Sequence, residues 1–122
     1  MWQRRKALEL IDTARLITHL IADKMGSDVL LLDLSQVTLI ADYFVIATGE
    51  SDRQLKAMRD ELIYNLKNDY DINPLSVEGS PSSGWILIDY GSIVVHLFSH
   101  AQRSRYRLED LWRDGRTVVR IA

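Results

Sequence analysis

The 122-residue sequence has no cysteine. Disulfides, thiolate metal sites and thiol catalysis are thereby excluded, and the composition suits a reducing compartment. No apolar run approaches the ~20 residues of a membrane-spanning helix. After Met1-Trp2-Gln3-Arg4-Arg5-Lys6 the chain is interrupted at Glu9, Asp12 and Arg15, so it lacks the unbroken apolar stretch of a secretory signal. The expectation is a cytoplasmic protein with no membrane partner. A large charge of one sign is missing as well. Fifteen basic side chains stand against 17 acidic ones, a formal net charge of −2. That balance excludes a domain that coats nucleic acid: no specific DNA partner is expected, and any RNA contact must come from a local patch. Internal repeats and low-complexity tracts are absent too. What is present is enough apolar material, 47% of residues, to fill one modest core.

Along the chain, Leu8, Ile11, Ala14, Ile17 and Ile21 recur at helical steps, predicting an amphipathic helix from Arg4 to about Met25, with Gly26 as its stop. Val29–Leu34 reads as a strand. Tyr43–Thr48 is an unbroken apolar run rich in β-formers, the pattern of a strand covered on both faces inside a sheet. Ser51 and Gln54 have capping-box spacing ahead of a second helix whose buried stripe is Leu55, Met58, Leu62 and Leu66. Asn73-Pro74 ends that passage. Leu75–Glu78 is a short strand, and Gly79–Gly84 is the one flexible-looking segment. Gln102–Trp112 reads as one or two helical turns. Residues 1–112 are expected to form the domain, and 113–122 a tail that adds an edge strand or frays.

The clearest local unit is Trp85–Tyr90, Gly91-Ser92, Ile93–Phe98, where a Gly-x pair between two apolar runs signals a two-residue hairpin turn. Counting outward, Tyr90/Ile93, Ile88/Val95 and Ile86/Leu97 share one apolar face, which belongs against the helices. The other face carries Trp85/Phe98, Leu87/His96 and Asp89/Val94. Two aromatics, a carboxylate and an imidazole make that face too polar for a core and too aromatic for plain solvent. It is the mixture typical of binding surfaces.

Enzymatic signatures are sparse. Thr48-Gly49-Glu50-Ser51-Asp52 lies between a strand and a helix, but the Walker pattern and the dinucleotide fingerprint are absent, and Glu50 and Asp52 would repel a phosphate. Its expected role is helix capping. His96 and His100 are four apart but straddle a strand end, so no metal is expected. Asp89 and His96 are diagonal neighbours, at most a weak acid/base pair. Arg103, Arg105 and Arg107 around Tyr106 are diluted by Glu109 and Asp110, which favours a solvated helix face.

Several segments in order carry a resemblance. These are Ala41-Asp42-Tyr43-Phe44-Val45-Ile46-Ala47-Thr48-Gly49 with Ser51-Asp52-Arg53, Pro74-Leu75 with Val77-Glu78-Gly79, Gly84-Trp85, Asp89-Tyr90-Gly91, Val94-Val95-His96 and Phe98. Arg103, Tyr106, Leu108, Glu109, Leu111 and Trp112 complete the set. Over roughly residues 5 to 112 the chain resembles the ribosomal silencing factor (Iojap) family. The resemblance implies a single α/β domain related to nucleotidyltransferases, with a mixed sheet and flanking helices. It also implies binding to large-subunit ribosomal protein fourteen, blocked joining of the small subunit, lowered translation when nutrients are short, and homodimers when free. The matching positions Trp85, Asp89, His96 and Phe98 fall on the face assigned to binding, with Glu78 as an added acceptor for basic side chains and Tyr106 as a further contact. The related fold raises a nucleotide-binding enzyme as the alternative. Magnesium chemistry there needs two aspartates one residue apart, whereas Asp89 is flanked at that spacing by Leu87 and Gly91, and Asp33 by Leu31 and Ser35. The reading is therefore a binding protein, not an enzyme, with no cofactor.

Overall fold

A computed structural model describes residues 9–122. The elements run α1 (Leu10–Asp23), β1 (Ser27–Asp33), β2 (Tyr43–Gly49), α2 (Asp52–Tyr70), β3 (Ser76–Ser80), β4 (Trp85–Asp89), β5 (Ile93–Ser99), α3 (His100–Tyr106), α4 (Leu108–Leu111) and β6 (Arg116–Ile121). The expected helix start before residue 9, with Leu8, lies outside the described residues.

The first helix buries Ala14, Ile17 and Ile21 as its spacing requires. Its left-handed terminal residue is Met25 at φ +66°, not Gly26, whose amide instead donates to the Ile21 carbonyl at 3.1 Å. In α2 the Ser51 hydroxyl accepts from the Gln54 amide at 3.1 Å. Gln54 reaches back to the amide of Glu50, one residue before the position a capping box would use.

Six strands form one mixed sheet in the order β3-β4-β5-β2-β1-β6, parallel only between β2 and β5. The unbroken β2 run is interior, paired on both sides. The tail is the sixth strand, antiparallel to β1, with Arg116 on Asp33 at 3.0 Å and Arg120 on Asp28 at 3.1 Å. Such exposed pairs add little stability, so backbone pairing holds this edge. Segment 79–84, expected from its composition to be a flexible loop, has regular structure. Gly79 and Ser80 belong to β3, and Pro81–Ser83 form a 3₁₀ turn in which the Ser80 and Ser83 side chains each bond the other's backbone.

Alternation in the strands supplies two apolar layers. One face carries Val29, Leu31, Val45, Ala47, Ile86, Ile88, Val95 and Leu97 against α1 and α2. The opposite face carries Leu30, Leu32, Phe44, Ile46, Val94 and Phe98, with Leu34, Ala41 and Leu108 completing the cluster and Trp85, Leu87 and Trp112 packed on it. The sheet thus has helices on one face and a smaller layer, α3–α4, over part of the other.

Candidate functional site

The hairpin register is the one obtained by counting from the turn: Trp85 pairs with Phe98, Leu87 with His96 and Asp89 with Val94. Gly91 at φ +88° makes the two-residue turn, and the Tyr90 amide donates to the Ile93 carbonyl at 2.9 Å. The expected exposure of the second face is corrected. His96 is 4% exposed, Phe98 0% and Val94 8%, so on β5 this face is core. The physical reason is that β5 sits between β4 and β2, while Leu108 and Trp112, arriving from beyond α3, join the layer over that face.

What reaches solvent is the rim of that layer. A groove of about 440 Å³ is lined by Glu78, Gly79, Ser83, Trp85, Leu87, Gln102 and Tyr106. Glu78 and Tyr106 are exposed, and Trp85 is half-buried. The Trp85 ring lies 4.6 Å from Tyr106 and 4.9 Å from Phe98, both tilted. Gln102 Nε2 donates to the Ser83 carbonyl at 3.1 Å, fastening α3 to the 3₁₀ turn, and Ser99 Oγ caps α3 by accepting from the Gln102 amide at 3.2 Å.

Beneath the groove, Trp85 Nε1 donates to His96 Nδ1 at 3.2 Å. An indole can only donate, so His96 must be neutral with its proton on Nε2. That Nε2 is buried without a partner among the described residues. The imidazole also packs against Phe44 at 4.7 Å and parallel to Phe98 at 6.1 Å. Burial in this apolar layer pushes the His96 pKa down to about 4.

Of the six residues named from the sequence, Glu78, Trp85 and Tyr106 line the groove, and His96 and Phe98 lie under Trp85. Asp89 stands at the other end of β4, where its carboxylate accepts from the Gly91 amide at 2.7 Å. It is a turn residue, and no Asp89–His96 pair forms. His100 turns instead to Glu50 at 3.1 Å, away from His96. Among the described residues no group of three or more His, Asp or Glu side chains is placed to hold a metal.

Arg103 departs furthest from expectation. Rather than facing solvent it is 7% exposed, with Nε donating to Glu109 at 3.0 Å. Its Nη1 donates to the Asp28 carbonyl at 2.6 Å and to Thr48 Oγ1 at 3.0 Å. It thereby ties α3, and Tyr106 at the end of α3, to the ends of β1 and β2. The sequence signal was slight, since an arginine among arginines looks solvated until its distant partners are in place.

Comparisons with known proteins agree with this architecture. The family model described as "Ribosomal silencing factor during starvation" matches residues 7–121. The chain is 42% identical over 96 residues to Ribosomal silencing factor RsfS of Bacillus subtilis, covering 76% of this chain and 78% of that one. It is 31% identical over 99 residues to the mouse protein named Mitochondrial assembly of ribosomal large subunit protein 1, covering 80% of this chain and 43% of that one. A crystal structure of a Chromobacterium violaceum protein superposes with a TM-score of 0.82 at 32% identity, covering 94% of this chain and 97% of that one.

Proposed function

The chain belongs to the ribosomal silencing factor family, and from that premise we propose that it binds the large ribosomal subunit through ribosomal protein fourteen. By occupying that site it blocks joining of the small subunit and represses translation under nutrient limitation. The observation that carries the reading is the groove, where a half-buried tryptophan packs between Tyr106 and Phe98, with the exposed carboxylate of Glu78 alongside. A large rigid aromatic in a recess rimmed by polar groups is the usual energetic centre of a protein interface. Glu78 lies on β3, the last strand of the sheet, where a basic ribosomal side chain can reach it. Trp85, Tyr106 and Glu78 make the contact in this reading. Phe98 and His96 support the indole from below, and Asp89 shapes the hairpin turn at the other end of β4. Free copies pair as homodimers in the cytoplasm, and the reading requires neither catalysis nor a cofactor.

The test is sucrose-gradient sedimentation of separated ribosomal subunits with the protein, under conditions where the subunits normally rejoin. The protein should travel with the large subunit and shrink the joined peak. Trp85→Ala should weaken binding by on the order of 2 kcal/mol, about thirtyfold in Kd. A protein that stays at the top of the gradient while joining proceeds unchanged would overturn the reading.

A further inference from the structure

We propose that His96 is a positioning residue for the docking face, fixing the Trp85 indole in one orientation through its Nδ1. The proposal rests on the docking reading of the groove. Around His96, β5 places Ile93, Val94, Val95, Leu97 and Phe98, all buried and apolar, with the partly buried Ser99 at the strand's end. A leucine at position 96 would fill similar space between Phe44 and Phe98 without taking two ring nitrogens out of water. Only one of those nitrogens is repaid, because Nε2 has no partner among the described residues. Among the described residues, the single polar service the imidazole performs is to accept the Trp85 N–H at 3.2 Å.

That service bears on the groove because, in this proposal, the directional hydrogen bond rather than packing against two rings fixes which way the indole N–H edge faces. Trp85 packs against Phe98 at 4.9 Å and Tyr106 at 4.6 Å, and the torsion about its Cβ–Cγ bond is a broad one. A flip would turn the N–H edge away from His96 and change the outline presented to a partner. The hydrogen bond selects one orientation. A partner then meets a preorganised anchor instead of ordering it on binding.

The experiment uses the full chain and two variants. His96→Leu removes the acceptor, and His96→Asn offers an amide oxygen near the place of Nδ1. The first readout needs no partner: the ¹H–¹⁵N resonance of the Trp85 indole, assigned with Trp85→Phe. In the wild type and in His96→Asn it should be a single hydrogen-bonded resonance with slow exchange against deuterium. In His96→Leu it should shift or split and exchange faster. The second readout is affinity for the isolated large subunit, expected to fall at least about tenfold in His96→Leu and to recover in His96→Asn, with unfolding midpoints measured alongside. An unchanged indole resonance in His96→Leu, or an affinity loss that follows the unfolding midpoint and that Asn does not rescue, overturns the proposal. Should His96→Leu not fold, His96→Phe keeps a flat ring in the layer and still lacks the acceptor. If the wild type does not bind the large subunit, the docking reading fails, while the indole resonance still decides whether His96 holds Trp85.

Discussion

Because His96 is buried neutral, stability should fall as the solution is acidified, over a window set by that one side chain. In the unfolded chain its pKa is the ordinary 6.5, and in the native protein burial holds it at about 4. Above pH 6.5 both states are neutral and the group is silent. Between 6.5 and 4 the unfolded chain takes up a proton that the native protein refuses, so unfolding is favoured progressively as pH drops. Below about 4 both states are charged and the full penalty has accrued. At about 1.4 kcal/mol per pKa step, the drop from 6.5 to about 4 amounts to on the order of 3 kcal/mol, most of it spent by pH 4.5. Urea unfolding of the wild type and His96→Leu at several pH values from 7.5 to 4.5 isolates the effect. Carboxylates contribute to both curves alike, among them Asp33, which is held low by its hydrogen bonds from Ser35 and then by Arg116. The wild-type curve should fall away from that of the variant across the window. Parallel curves would show that the imidazole either titrates normally or is reached by water in the native state.

Substitutions at three further positions probe other parts of the fold. Arg103→Met should cost about 3 kcal/mol in urea unfolding, because it strands the Glu109 carboxylate and the Asp28 carbonyl that the guanidinium now serves. A loss under about 1 kcal/mol would mean that water replaces the clamp without penalty. Gly79→Ala should destabilise by about 2 kcal/mol, since φ is +83° and the new Cβ would run into the Trp85 carbonyl oxygen. The loss should appear as a lower midpoint with disturbed Trp85 fluorescence. Ser51→Ala should cost about 1 kcal/mol and Ser51→Gly only a few tenths, because glycine is a tolerable N-cap and alanine is not. Equal losses would remove the cap assignment.

The legible parts of this protein were those decided between neighbours in sequence. Gly91-Ser92 between two apolar runs left one hairpin register, and all five pairs from Trp85/Phe98 to Asp89/Val94 follow it. The helical spacing of Leu55, Met58, Leu62 and Leu66 and the Ser51 cap are equally local. So is the interior position of β2, since a continuous apolar run has no side to turn to water. The site was legible in part. Trp85, Glu78 and Tyr106 do meet at one groove, whereas Asp89, on the same strand face as Trp85, serves the turn at the strand's other end.

Burial and long-range pairing were decided only by the tertiary structure. Alternation assigns residues to two faces but does not say whether a face will be covered, and the cover over His96 and Phe98 comes from Leu108 and Trp112, on the far side of α3. Arg103 meets carbonyl and hydroxyl partners 75 and 55 positions away, a distance over which no local pattern carries information. Segment 79–84 has the composition of a loop, yet it is ordered by reciprocal serine bonds and by pairing with β4. Periodicity and turn chemistry act over a few residues and so can be read from the chain. Desolvation depends on which distant segment arrives to exclude water, and that is settled only when the whole chain has folded.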